Sequence, residues 1–194
     1  HTKELEEYAK DKNILLIPGI ERTIDEQHIL IYNITNEEAQ KVNSLEELKV
    51  LKEKKRKKGH NILVIAPHPF YPGKTCLKKN ILKNIDLFDA WEYSFFYINV
   101  WNTNRKTKKL AKINNKTLIA NSDVHEIDNL GKVFSYINCK KDIQSVFKAI
   151  RENKVKLKIK PLENKIFFKI FFEVLISKIK HLLKIGETEL IFFL

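Results

Sequence analysis

The sequence predicts an α/β protein with a largely parallel sheet, large enough for one domain or for one domain and a part. Short apolar runs alternate with charged amphipathic stretches, which is typical of successive β-strand and α-helix units. The 194 residues are 43% hydrophobic and 31% charged, a composition that excludes general disorder. Acidic and histidine residues recur just after the apolar runs, at the edge where parallel sheets assemble active sites.

Six short apolar runs are the predicted strands. They cover residues 14–17, 28–34, 62–66, 87–93, 117–120 and 133–137. Ahead of the first run, a helix is predicted over residues 3–12, because Leu5, Tyr8 and Ala9 share one helical face. Further charged stretches between the runs complete the strand–helix alternation.

The clearest helix is predicted over residues 45–58. Ser44 and Glu47 have the spacing of a capping box at its start, and Gly59 follows its end. Its second half, residues 52–58, is a basic run in a chain of net charge +12. This run is either a patch for nucleic acid or another anionic surface, or a solvated last turn whose cations complement the helix dipole. We favour the second interpretation, because no aromatic residues interleave with the basic ones.

A C-terminal amphipathic helix is predicted within residues 163–185. Lysines interrupt every window long enough to cross a bilayer, so no transmembrane segment is expected. An interfacial membrane helix and a helix that packs on a partner are both compatible with the pattern. We favour packing, including self-association through residues 163–185.

Cysteine content and the chain ends bear on location. Cys76 and Cys139 are too few for a disulfide framework, and no secretion signal is visible, so we expect a cytoplasmic protein. The chain opens at His1 and contains no methionine, which indicates a piece of a longer protein.

Metal-ligand residue types follow three of the predicted strands. Glu21 follows the first run, His68 follows the third, and Asp123 and His125 follow the fifth. In an extended segment residues i and i+2 point to the same side, so Asp123 and His125 can bind one ion. His28 opens the second strand and is expected to fold back over the same edge. Carboxylate and imidazole ligands together suit zinc, manganese or iron.

Other chemistries find little support. The chain has no nucleophile-elbow, phosphate-loop or dinucleotide-binding motif. Cys76 is either a nucleophile near His68 or, more simply, a half-buried small residue. Glu92, in an aromatic segment, is a candidate to support a ligand by hydrogen bonding. Arg105 is a candidate contact for a substrate phosphate, although a solvated loop residue is the better interpretation.

Five segments in this order resemble the PHP (polymerase and histidinol phosphatase) family of metal-dependent phosphoesterases. They cover residues 16–21, 28–30, 65–69, 88–93 and 121–125. Residues 142–151 and 155–161 also resemble the segment that follows the barrel in one branch of that family. The resemblance implies that residues 1–161 form part of a distorted (β/α)7 barrel, similar to a TIM barrel. The amphipathic helix and the apolar C-terminal tail then form an extension over residues 162–194.

The resemblance also implies a function. Glu21 would be a bridging carboxylate, His28 and His68 imidazole ligands, and Asp123 and His125 a ligand pair, in a site for up to three zinc, manganese or iron ions. Metal-activated water would hydrolyse a phosphomonoester or a nucleotide or nucleic-acid phosphoester. The family's first motifs are absent, and His1 is a candidate for the histidine of the second. This chain alone is therefore expected to have an incomplete site. The alternative is a catalytically incomplete basic module that binds nucleic acid or a protein partner.

Overall fold

The computed structural model describes residues 3–123, 131 and 133–182. Within them, five strands form one mixed sheet in the spatial order β1 (Gly19–Ile24), β2 (Gln27–Tyr32), β3 (Leu63–Ala66), β4 (Ala90–Glu92) and β5 (Thr117–Ile119). β2 runs antiparallel to both β1 and β3, whereas β3, β4 and β5 are parallel. A separate antiparallel pair consists of β6 (Phe134–Ile137) and β7 (Val155–Lys158).

The helices over the described residues are α1 (Lys3–Asp11), α2 (Asn36–Gln40), α3 (Leu45–Lys57), α4 (Asn80–Lys83), α5 (Asn104–Ile113), α6 (Ile143–Arg151) and α7 (Asn164–Leu182), with a 3-10 turn at Ile85–Leu87. The hydroxyl of Ser44 accepts the N–H of Glu47 at the start of α3, as predicted. The Glu47 carboxylate, however, accepts the N–H of Asn43, so only half of the predicted capping box forms. A complete box caps α2, between Thr35 and Glu38.

The predicted (β/α)7 barrel was wrong. Among the described residues the five-stranded sheet is open, with β1 and β5 at its two edges. The hydrogen bonds between β6 and the residue after β5 involve a side chain: the Ser135 hydroxyl donates to the Ala120 carbonyl and accepts the Ala120 N–H. The backbone of β6 pairs with β7 instead, so the sheet gains no sixth strand at that edge.

The largely parallel sheet was also an incorrect expectation, and the error lies in the first two strands. Residues 14–17 are not a strand; β1 begins at Gly19 and joins β2 through a two-residue hairpin turn, Asp25 and Glu26. Both turn residues have positive φ, 47° and 62°, as tight two-residue hairpins require. Gly19 faces Tyr32 across this hairpin, and a Cβ there would lie 2.6 Å from the Tyr32 ring. Glycine therefore permits the close pairing.

Both faces of the sheet are covered by other elements. On one face, helices α2 to α5 pack on a core that includes Leu48, Trp91 and Ala111. On the other face, Phe147 and Ile150 of α6 pack against apolar side chains of β3, β4 and β5. All four residues of β3 are consequently buried, as expected for a central strand covered on both sides.

One buried carboxylate ties these layers together. Asp89, with a side chain 7% exposed, accepts the Val64 N–H at 2.8 Å and pairs with Lys52 of α3 and Arg151 of α6, each at 2.9 Å. Lys52 also donates to the Leu87 carbonyl. The two helices lie on opposite faces, so Asp89 links both of them to the sheet.

The C-terminal helix α7 contacts the rest of the protein through its first turns. Phe167 is buried and stacks on Phe96 at 4.6 Å between ring centroids, beside Trp101. Among the side chains of α7 that the structure describes, six apolar ones are 41–54% exposed: Phe168, Phe171, Phe172, Leu175, Ile176 and Ile179. No helix among the described residues is long and apolar enough to cross a membrane.

Candidate metal centre

Three of the predicted ligands lie together where β3 ends. Glu21 of β1 lies opposite Leu30 of β2, and His28 precedes Leu30 by two residues, so both side chains are on the same face of the hairpin. His68 follows β3, the next strand of the sheet. One ligand-type atom from each of Glu21, His28 and His68 lies within 4.8 Å of the other two.

The contact between Glu21 and His28 has an unusual geometry. Nδ1 of His28 lies 3.0 Å from Oε1 of Glu21, with the His28 side chain 13% exposed. The pair is at ion-pair distance, yet the buried Nδ1 has no hydrogen-bond partner among the described residues. A buried imidazole nitrogen normally has a partner. A nitrogen that faces a carboxylate without bonding to it is the arrangement expected of two ligands for one cation.

His68 is held in place from several directions. Its backbone φ is 27°, a positive value that residues other than glycine adopt uncommonly and that recurs at functional sites. Its N–H donates to Oε2 of Glu92 at 2.6 Å. The imidazole meets the His28 ring edge-on, 5.8 Å between centroids. Burial lowers the pKa of His68, against the opposing effect of the Asp123 and Glu21 charges, and so favours the neutral ring that a metal requires.

Glu92, at the end of β4, is the most deeply buried acidic residue of the site. It is 2% exposed, and burial, reinforced by the charges of Asp123 and Glu21, raises the pKa of its carboxyl to about 8. The neutral form therefore predominates at pH 7. Its Oε2 accepts the backbone N–H of His68, one of the candidate ligands, and the role of supporting a ligand stays a prediction.

Asp123 follows β5 and lies near the cluster of Glu21, His28 and His68, but it is not one of the three residues whose ligand atoms lie within 4.8 Å of one another. Its carboxylate is near enough to raise the pKa of Glu92 and to act on His68. Like His68, it has a left-handed backbone, with φ of 41°. Two predicted ligands at the ends of parallel strands thus share the same uncommon conformation.

The remaining predicted site residues have other outcomes. His1 and His125 lie outside the described residues. Arg105 lies in the first turn of α5, a helix where a loop was expected; it is exposed to solvent, and its guanidinium donates to the Asn99 carbonyl. In the basic run, Lys52 pairs with Asp89 and Lys55 with Glu38, so both serve the fold.

Tyr32 is a neighbour of the site that the sequence analysis missed. It lies on the same face of β2 as His28, and burial together with the charges of Glu92 and Glu21 raises the pKa of its phenol to about 12. Its spacing of four residues from His28 in a strand could have identified it, since both then share a face. The Tyr32 phenol therefore stays protonated at neutral pH.

The donor set fits a transition-metal ion. One carboxylate and two imidazoles, in a partly buried position with an unbonded ring nitrogen, suit zinc, manganese or iron and do not resemble an oxygen-only calcium site. The fold and this cluster together define an open α/β protein with a candidate carboxylate–histidine metal centre.

Comparisons with known proteins support a relation to the PHP family. Residues 101–155, from just before α5 to the start of β7, match the PHP_C family, described as PHP-associated. The predicted resemblance is thereby confirmed through this associated segment. No curated protein matches the chain.

Solved structures show a similar fold. The crystal structure of PsfC from Pseudomonas syringae PB-5123 superimposes with a TM-score of 0.55 at 15% sequence identity, over 83% of this chain and 65% of that chain. At this identity the likeness concerns the fold alone. This chain thus spans about two thirds of the length of PsfC.

Proposed function

We propose that this chain carries the metal centre of a phosphoesterase that hydrolyses a phosphomonoester, or a phosphoester of a nucleotide or nucleic acid. The observation that carries the proposal is the cluster of Glu21, His28 and His68, in which a buried imidazole nitrogen faces a carboxylate without a hydrogen bond. The PHP-associated match supports it, since the family resembled by the sequence consists of metal-dependent phosphoesterases.

In this proposal each side chain has a distinct role. Glu21, His28 and His68 hold zinc, manganese or iron, and Asp123 is close enough for its charge to act on the same region. A divalent ion there supplies positive charge to phosphoryl oxygens and makes a bound water more acidic. Glu92 holds the backbone of His68 through the hydrogen bond that its Oε2 atom accepts. Tyr71 packs edge-on against the His68 ring and limits its motion.

The test is metal content and hydrolysis measured on the same preparation. The chain, purified without chelator, is expected to contain about one equivalent or more of zinc, manganese or iron by elemental analysis. Because this chain lacks the family's first motifs, it is expected to hydrolyse p-nitrophenyl phosphate weakly or not at all, and any hydrolysis is expected to stop with a chelator and to return with added manganese or zinc. A protein without metal that also fails to bind added ions would contradict the proposal.

The alternative is a basic module that binds nucleic acid through residues 52–58. Exposed Lys54, Lys57 and Lys58 favour it, whereas the ion pairs of Lys52 and Lys55 leave fewer cations for a phosphate backbone. Anisotropy of a labelled oligonucleotide distinguishes the two functions. Salt-dependent binding, unchanged when metal is removed, would favour the module over the phosphoesterase.

For the exposed face of α7 we propose a second copy of this chain as partner. Lys169 and Glu173 flank that face one turn apart, so antiparallel packing about Phe171 places each lysine near the other copy's glutamate. We expect light scattering to report a dimer whose dissociation constant rises at least tenfold in Phe172→Ser. Lys165→Ser, on the same helix, is the control, and a monomeric wild type would contradict the proposal.

We also propose a reducing compartment such as the cytoplasm. Cys76 and Cys139 are both free thiols, and Cys76 is buried beside His68. Free cysteines persist where the redox poise keeps thiols reduced.

A further inference from the structure

One short loop holds both histidines of the candidate metal centre. In the loop of residues 69–79, the Thr75 carbonyl accepts the backbone N–H of His28 at 2.8 Å. The next residue, Cys76, places its sulfur 3.2 Å from Nδ1 of His68. Two adjacent residues therefore contact two ligands that are forty positions apart in the sequence.

The loop is itself well anchored. The N–H of Lys78 donates to the Pro69 carbonyl at 2.8 Å, and the N–H of Tyr71 donates to the His68 carbonyl at 3.0 Å. Gly73 lies so close that a Cβ there would be 3.2 Å from the Cys76 sulfur. The position of the sulfur relative to the His68 ring is thus fixed by the loop.

We propose that Cys76 is a positioning residue that selects the tautomer of His68. Nδ1–H donates to the Cys76 sulfur, and the Nε2 lone pair remains available to a metal ion. This inference rests on the proposed metal centre and deepens it.

The physical reason is the chemistry of imidazole. Neutral histidine carries one ring proton, and the nitrogen without it is the one that binds metal. A ligand histidine almost always donates its other N–H to an acceptor, and loss of that acceptor typically weakens metal binding by about 10–100-fold. Among the described residues the sulfur is the side-chain acceptor in contact with Nδ1 of His68. Burial also raises the pKa of the Cys76 thiol, which keeps it uncharged and unsuited to act as a nucleophile.

The first experiment measures zinc and manganese affinity by calorimetry for wild type, Cys76→Ala, Cys76→Ser and Cys139→Ala. Cys76→Ala is expected to bind about 10–100-fold more weakly, because the acceptor is gone. Cys76→Ser keeps an acceptor and is expected to stay within a few-fold of wild type. Cys139→Ala, which removes the other free thiol, should equal wild type. Equal affinity of Cys76→Ala and wild type would overturn the inference, as would a serine variant as weak as the alanine one.

The second experiment does not depend on metal. Nitrogen NMR of the His68 ring in the metal-free protein, at a pH of about 8 where the ring is neutral, reports which nitrogen carries the proton. We expect the proton on Nδ1 in wild type and Cys76→Ser, and a shift of the population towards Nε2 in Cys76→Ala. A proton on Nε2 in wild type would refute the role of Cys76 even if metal binds. The expected NMR pattern in a wild type that binds no metal would refute only the proposed function.

Discussion

Replacing Glu21 with glutamine is expected to lower the affinity for zinc and manganese by at least about 100-fold, a larger effect than loss of a supporting hydrogen bond. Glutamine has nearly the same size but no charge, and the cluster then loses the carboxylate that faces Nδ1 of His28. The fold should tolerate the change, because the Glu21 side chain is 35% exposed. Titration calorimetry measures the affinity, and circular dichroism measures the melting temperature of the same samples.

A matched control lies in the same hairpin. Glu26→Gln makes the identical chemical change at an exposed residue of the turn, outside the cluster. We expect it to bind metal as wild type does. If Glu21→Gln retained wild-type affinity, or if Glu26→Gln lost as much, the cluster would not be the metal centre.

Replacing Asp89 with alanine is expected to destabilise the protein by about 3–5 kcal/mol, which corresponds to a fall of about 10 °C in melting temperature. Asp89 accepts from Val64, Lys52 and Arg151, and its loss leaves the Lys52 ammonium, 16% exposed, without its counter-ion. Burial already lowers the pKa of Lys52, against the pull of Asp89, which shows that the charged form is costly at this place. Urea unfolding followed by circular dichroism measures the change.

Two further variants separate charge from packing. Lys52→Met in the Asp89→Ala background removes the stranded cation, so we expect it to recover a large part of the loss. Glu53→Ala breaks an exposed pair with Arg56 on the same helix and should change stability by less than about 1 kcal/mol. A mild effect of Asp89→Ala, similar to that of Glu53→Ala, would show that the buried network contributes little.

Individual helices and strands could be predicted where neighbouring residues alone determine them. The helix after Ser44 and the strand 63–66 occur within a residue of the expected bounds, because a cap, a stop and an apolar run each act over a few residues. The barrel could not be excluded in this way. The decisive connection is the turn at Asp25 and Glu26, whose residues lack the usual asparagine–glycine hairpin signature although both adopt positive φ. A two-residue turn can only join antiparallel strands. This turn therefore makes β1 and β2 antiparallel, where the sequence pattern had predicted parallel strands.

The site shows the same division. Glu21, His28 and His68 could be identified by residue type and by their position near apolar runs, and the structure brings them together. Glu21 reaches this place from within β1, although the sequence placed it after a parallel strand. The contact of Cys76 with His68 depends on the conformation of the loop of residues 69–79. A loop conformation has no periodic pattern of apolar residues, so the sequence could not predict this contact.

The hairpin of β1 and β2 has a consequence for the order of assembly. Glu21 and His28 are seven residues apart and meet through a single tight turn, whereas His68 joins them from a distant part of the chain. Hairpins close in about 1–10 μs, and contacts between distant segments form more slowly because a longer loop must close first. Two of the three candidate ligands can therefore be in place early in folding. A metal ion present during synthesis would meet the pair of Glu21 and His28 first. His68 would then complete the site as the central strands associate.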